Sequence, residues 1–187
     1  MKKAFVFLLI LAVIVTVSIL SLGGRYNSML SAKVESESRW AEVDNQLKRR
    51  SDLIPNLVQT VRGFMEHEKE VLQGISDART RYAGASGIET KIAASNELSG
   101  ALSRLMMIVE NYPQLKADQN FIRLQDELAG TENRLAVARQ RYNESVKAFN
   151  LSISRFPDNM ISGSFGFERL PFFEITSQER VAPKVEF

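Results

Sequence analysis

One short run of the sequence has side chains that could bind a metal: a lone histidine, His67, stands between two glutamates. A zinc-protease helix needs a second histidine four residues after the first, so that both imidazoles share one face. That position is Val71, and the chain has one His and no Cys, which excludes thiolate and multi-histidine zinc sites. We therefore interpret Glu68 as a structural carboxylate paired with an arginine such as Arg79 or Arg139, and no cofactor is predicted.

Charged and polar side chains also crowd a predicted turn between two helices: Arg49, Arg50, Asp52 and Asn56. The turn is predicted because Ser51 or Asp52 can cap a helix and Pro55 is tolerated in a helix's first turn. The end of a helical bundle needs caps and paired charges, so a structural role is favoured. A partner-binding surface at this end is the alternative.

A third polar group follows at helical spacing near the C-terminal end of the apolar pattern. Its members are Glu132, Asn133, Arg139, Tyr142 and Asn143. Residues three, four and seven apart share a helix face, and buried polar groups must be hydrogen-bonded. Such groups can fix the register of neighbouring helices. We find no second carboxylate or nucleophile that would complete a catalytic pair, so an enzyme is not predicted.

The C-terminus itself is a candidate binding element, because Val185, Glu186 and Phe187 form an apolar-x-apolar end. A PDZ-type groove captures such an end by adding it as a strand and holding its carboxylate. A membrane protease or chaperone could recognise Phe187 in this way. A tail that packs along the helices is the alternative, and it is favoured.

The charge balance excludes one class of partner. Lys and Arg number 24 against 22 Asp and Glu, and Lys2 and Lys3 supply the whole excess. Nucleic-acid binding needs a clustered excess of basic side chains to displace phosphate counterions. The rest of the chain is formally neutral, so nucleic acid is not a predicted partner.

The elements that must position these residues begin with a membrane segment. Residues 1–3 form a positive head, and residues 4–22 carry no charge. At about 1.5 Å per residue this run spans roughly 28 Å, close to the hydrocarbon core of a bilayer. It predicts a transmembrane signal anchor, with a cleaved signal peptide as the alternative. The compact positive head favours a cytoplasmic N-terminus and an extracytoplasmic body.

Apolar residues recur at helical spacing through residues 25–157 and predict four helices, at about 25–50, 53–83, 88–111 and 117–156. Short connections favour antiparallel neighbours. We therefore predict an all-α fold: an N-terminal transmembrane helix, an antiparallel up-and-down four-helix bundle and an irregular Phe-rich tail over 158–187. A solvated disordered tail would be poor in aromatics, so these rings are expected to pack against the bundle, a partner or lipid headgroups.

The run QLKRRSDLIPNLV at residues 46–58 resembles the signature of the LemA family of bacterial membrane proteins. Further matching pieces stand in family order along the chain. They are Tyr26-Asn27, Trp40, His67-Glu68, Ala78-Arg79, the turn at 110–116, Phe121, Leu124-Gln125, Leu128, Thr131-Glu132-Asn133, Ala138-Arg139, Tyr142-Asn143, Asn150, Phe156-Pro157, Phe165-Gly166-Phe167 and the closing 183–187. The resemblance implies one N-terminal membrane helix and a helical bundle, and it supplies no catalytic site.

These observations predict a non-enzymatic, membrane-anchored scaffold or adaptor of the bacterial cell envelope, single-pass in the inner membrane with its body on the periplasmic side. We expect a homo-oligomer in contact with the lipid bilayer, with an envelope protein as a further partner. One alternative is a membrane-shaping or lipid-organising protein. The other is a regulator or substrate of a membrane protease, recognised through its C-terminus.

Overall fold

The computed structural model describes residues 2–65 and 67–174, and over these ranges the chain is all-α, as predicted, with no strand. Five helices follow in order: α1 (Lys2–Arg62), α2 (Lys69–Gly84), α3 (Ile88–Val109), α4 (Pro113–Lys116) and α5 (Gln119–Ser154). The chain divides into two compact units. The first contains α1 as far as Arg39 together with Glu144–Leu170, and the second contains Trp40–Asn143 and the tail from Pro171.

The sequence predicts a break between helices at residues 50–53. This prediction is wrong, because α1 continues through Pro55 to Arg62. A proline inside a helix has no N–H to donate to the carbonyl four residues earlier, here that of Ser51. Arg79 on α2 donates its Nε–H to this carbonyl oxygen at 3.1 Å. The break falls instead at Gly63 and Phe64, so the predicted helix 53–83 is represented by the end of α1 and by α2.

The remaining helix ends follow local sequence signals. Gly87 precedes α3 with φ 87°, a left-handed conformation that favours glycine. The Asp118 side chain caps α5, accepting hydrogen bonds from the backbone N–H groups of Asn120 and Phe121 at 2.9 Å each. The last helix therefore begins at Gln119, two residues later than the pattern predicts, and ends at Ser154.

Contacts fix the helix directions in the second unit. Toward the C-terminal end of α1, the contacted residues have higher numbers in α3. In α2 and α5, by contrast, the contacted residues have lower numbers. The pairs are Asp44–Lys91 and Arg50–Ser99 for α3, Asp44–Tyr82 and Ser51–Arg79 for α2, and Glu42–Arg141 and Arg50–Glu132 for α5. Thus α1 and α3 run in one direction while α2 and α5 run in the other, which is an up-and-down arrangement.

All five helices contribute to the apolar core of the second unit. Its best buried side chains include Leu57 from α1, Ile75 from α2, Leu105 from α3, Leu115 from α4 and Phe121 from α5. Every one of them is at most 1% exposed, so they pack as a continuous interior.

The first unit has a smaller core of its own. Met29 on α1 packs with Phe149 and Ile153 on α5 and with Phe167, which follows two short 3-10 turns at Asp158–Met160 and Gly163–Phe165. The α1 portion of this unit begins with large apolar side chains that are exposed from Phe5 onward. Among the described residues, α1 is the one helix long and apolar enough to cross a membrane.

Candidate functional site

The second unit contains a charge cluster formed by Arg50, Ser99, Glu132 and Arg139. Arg50 on α1 places Nη1 at 2.7 Å from a Glu132 carboxylate oxygen and donates a hydrogen bond to the Ser99 hydroxyl at 2.9 Å. Arg139, one heptad after Glu132 on α5, donates to the other carboxylate oxygen. The cluster therefore joins α1 to α3 through a charge-assisted hydrogen bond and α1 to α5 through an ion pair.

The composition of the charge cluster points to positioning of helices. Two guanidinium groups share one carboxylate, and Arg139 is buried while Glu132 is half-buried. Arg139 also stacks over the ring of Phe173, with Cζ at 5.2 Å from the ring centroid. A buried charge is tolerated where it is paired in this way.

Next to the charge cluster, α5 binds a segment of the C-terminal tail. Asn143 is hydrogen-bonded to both backbone groups of Phe173: its Nδ2 donates to the carbonyl at 3.0 Å, and its Oδ1 accepts from the N–H at 2.8 Å. Tyr142 donates its hydroxyl to the Pro171 carbonyl at 2.8 Å, and Asn96 on α3 donates to the Glu174 carbonyl at 3.2 Å. We call residues Pro171–Glu174 the clamped segment.

Aromatic packing supports the clamped segment. Trp40 lies at 5.3 Å from Tyr142 and at 6.4 Å from Phe173, measured between ring centroids. Tyr142 is fully buried, and its burial raises the pKa of its hydroxyl to about 12. The hydroxyl therefore stays protonated and donates its hydrogen bond throughout the neutral pH range.

The first unit uses the same side-chain chemistry on its own part of the chain. Asn150 donates to the Leu170 carbonyl and accepts from the Leu170 N–H, each at 2.9 Å. Asn143 and Asn150 thus each bind both backbone groups of one tail residue, Phe173 and Leu170 respectively.

The predicted candidate positions separate into three groups. Arg50, Glu132, Arg139, Tyr142 and Asn143 all belong to the charge cluster or hold the clamped segment. Arg49, Asp52 and Asn56 are exposed on the surface of α1. Phe187, with the Val185–Phe187 end, lies outside the described residues.

Glu68 does not pair with Arg79 or Arg139, contrary to the sequence-based expectation. It accepts a hydrogen bond from the Tyr112 hydroxyl at 3.3 Å, because Arg79 is engaged with the Ser51 carbonyl and Arg139 with Glu132. His67 is exposed at the edge of a 650 Å³ surface cavity that Arg62 and Lys69 also line. Within residues 2–65 and 67–174, no three metal-ligating side chains come together.

The sequence did not single out a second polar cluster, formed by Asp44, Tyr82 and Lys91. Lys91 Nζ lies at 2.7 Å from both Asp44 carboxylate oxygens, and the Tyr82 hydroxyl donates to the same group at 3.3 Å. Burial and the Asp44 charge raise the pKa of Tyr82 well above its ordinary value. The sequence feature that could have indicated this cluster is Asp44 itself, an aspartate on the apolar face of α1, one turn from Leu47.

Comparison with known proteins gives distant relatives from several bacteria. The chain is 23% identical over 176 residues to magnetosome protein MamQ 1 and to MamQ 2 of Paramagnetospirillum magneticum, covering 80% of this chain and 65% of each relative. The chain thus spans less than two thirds of the length of these relatives. It is 21% identical over 159 residues to protein LemA of Metamycoplasma hominis, covering 84% of this chain and 73% of the relative.

A family comparison covers the whole of the second unit and all of the tail. The LemA family model matches residues 39–187, a stretch that contains both the charge cluster and the clamped segment. The match confirms the resemblance seen in the sequence motifs. The family name and the names of these relatives are not those of enzymes. The chain belongs to the LemA family.

Proposed function

We propose that this chain is a non-enzymatic, membrane-anchored helical scaffold of the bacterial cell envelope that self-associates. The observation that carries the proposal is the length of α1, which is one helix from Lys2 to Arg62. It contains the candidate membrane span, and its later residues Ile54, Leu57 and Val61 belong to the core of the second unit. An anchor and a core helix are thus parts of the same element.

The use of the polar residues supports a structural role. Arg50, Glu132 and Arg139 bind one another, and Tyr142 and Asn143 bind the tail backbone. A catalytic site needs a group poised to meet a substrate, whereas the contacts described for these side chains are to helices and tail. This arrangement suits a body whose shape is maintained for binding.

Three exposed apolar side chains of the second unit are the contacts that we propose for self-association. Met107 on α3 is 67% exposed, and Ile122 and Val137 on α5 are also exposed. Large apolar side chains at the surface gain most when a partner covers them. A second copy of the chain is the partner we propose, with an envelope protein as a further one.

Cross-linking in intact cells tests this function. A photo-reactive amino acid at Met107 is expected to capture a second copy of the chain, and the same group at exposed Asn56 provides a matched position on α1. Recovery of uncross-linked monomer from both positions, together with no co-purified envelope protein, would contradict the scaffold function.

A further inference from the structure

The first unit carries an unusually exposed apolar group just after α5. Phe156 is 80% exposed, Met160 is 71% exposed and Phe165 is 45% exposed. All three belong to the segment 155–166, which contains the two 3-10 turns. We call these three side chains the apolar tip.

The segment that bears the apolar tip is an ordered part of the first unit. Ile161 and Phe167 pack toward the core of this unit, beside Phe149, while Phe156 and Met160 remain exposed. The Ser162 hydroxyl donates to the Ile153 carbonyl at 3.2 Å. One side of the segment is thus anchored to the protein, and the other side presents its apolar residues.

Direct contacts place the apolar tip at the end of the candidate membrane span. Arg25, the first charged residue after the uncharged run, lies with Nη1 at 2.9 Å from an Asp158 carboxylate oxygen. Tyr26 packs edge-on against Phe165, with ring centroids 5.1 Å apart. The apolar tip therefore lies beside the part of α1 where the candidate membrane span ends.

The chemistry of this level matches the interface between lipid headgroups and acyl chains. Aromatic side chains are enriched at that depth, and basic side chains next to them attract anionic lipids. Arg155 is exposed beside Phe156. A water-exposed apolar tip next to a membrane-crossing helix is covered most simply by the same bilayer.

We propose that Phe156, Met160 and Phe165 insert into the headgroup region of the membrane that α1 crosses, as a second, interfacial contact. This inference rests on the proposed membrane anchor. It assigns an anionic bilayer as the partner of a surface outside the anchor itself. The contact gives the first unit two points of attachment, which restricts its rotation relative to the membrane plane.

Fluorescence quenching by spin-labelled lipids tests the contact in the full-length chain. The protein has no Cys, so single variants Phe156→Cys and Met160→Cys can each carry one environment-sensitive fluorophore. Val34→Cys is the matched control, since Val34 is exposed on α1 but nine residues, or roughly 14 Å, beyond Arg25. Val13→Cys reports the anchor itself. Each protein is placed in phosphatidylcholine–phosphatidylglycerol vesicles whose lipids carry the spin label near the headgroup or deep in the acyl chain.

The expected result is headgroup-level quenching at positions 156 and 160 that exceeds quenching at position 34 by about twofold or more, with deep quenching at position 13. Quenching at 156 and 160 no greater than at 34 would overturn the interfacial contact while leaving the anchor intact. Loss of lipid quenching at position 13 would instead overturn the anchor and the proposed function. A fluorescence shift at position 156 that depends on protein concentration, without quenching by the labelled lipids, would mean that the apolar tip contacts a second copy of the chain. That result would contradict the proposal.

Discussion

At the residue scale, Glu132 places one carboxylate between the guanidinium groups of Arg50 and Arg139. Glu132→Gln leaves Arg50 and Arg139 facing each other without their shared counter-charge. We expect the free energy of unfolding to fall by about 2 kcal/mol, because removing one member of a buried ion cluster leaves the others desolvated. Chemical denaturation of the protein in detergent measures the change.

A matched control for this substitution lies in the same unit. Glu97→Gln removes the carboxylate of the Arg81–Glu97 pair, whose side chains are 57% and 54% exposed. Exposed pairs contribute about 0.5 kcal/mol or less, so this variant should unfold almost like the parent. Equal losses in the two variants would show that the charge cluster has no special role.

Tyr142 connects the clamped segment to the alkaline stability of the protein. Tyr142→Phe removes the hydrogen bond to Pro171 and should cost about 1 kcal/mol at neutral pH. Because burial raises the pKa from 10.0 to about 12, the folded state keeps the proton that the unfolded state loses above pH 10. The contribution of this hydroxyl is fully present below pH 10 and declines as the pH rises to 12.

Denaturation curves of the parent and Tyr142→Phe between pH 8 and about 12 test this pH dependence. The unfolding free energy of the parent minus that of Tyr142→Phe should decrease as the pH rises. A difference that grows with pH would mean that the folded state favours the ionised hydroxyl, against its buried environment.

Asn143 offers a test of the tail contact itself. Asn143→Ala removes two hydrogen bonds to the backbone of Phe173 and should cost about 1–2 kcal/mol, while exposing the clamped segment to protease. Limited proteolysis followed by mass spectrometry measures cleavage near Pro171. Asn133→Ala, on the exposed face of the same helix, should leave the cleavage rate unchanged.

At the element scale, a side chain from another helix binds the carbonyl that Pro55 leaves without its usual helical donor. Arg79→Ala removes the donor to the Ser51 carbonyl and should lower the unfolding free energy by about 1 kcal/mol. In a Pro55→Ala background the backbone N–H at position 55 can serve this carbonyl, so the same Arg79 substitution should cost clearly less. Denaturant titration measures the loss of unfolding free energy in each background. Equal losses would show that the Arg79 contact does not compensate for the proline.

The same contact explains which part of the fold the sequence could predict. Apolar spacing predicts the helical class, the start of α3 at Ile88 and the face shared by Glu132, Arg139 and Tyr142, because these depend on local periodicity. Proline and a capping residue argue locally for a break near residue 52. Groups distant in sequence nevertheless contact this continuous stretch of α1: Arg79 binds the Ser51 carbonyl, and Leu57 is buried in the core.

A similar separation of local and distant information applies to the candidate site. Periodicity places residues on a face but does not state which neighbour they meet. Thus Arg50 joins Glu132, whereas Arg49, its neighbour in the chain, is exposed to solvent. The partners Ser99 and Phe173 are identified only when the helices and the tail are brought together.

At the scale of the whole molecule, the positive head at Lys2 and Lys3 predicts a cytoplasmic N-terminus. The Cys-free chain allows a direct test with single cysteines and a membrane-impermeant maleimide. We expect Met107→Cys to be labelled from outside the cytoplasmic membrane and Lys3→Cys to be protected until the membrane is opened. The reverse labelling pattern would place the body in the cytoplasm.

Self-association is the central proposal for the whole molecule, and exposed apolar side chains such as that of Met107 are the observation that supports it. The most direct measurement is the mass of the full-length protein in mild detergent and in lipid nanodiscs, by light scattering over a range of protein concentrations. We predict dimers or larger assemblies in both environments. A monodisperse monomer at every concentration in both would contradict the account.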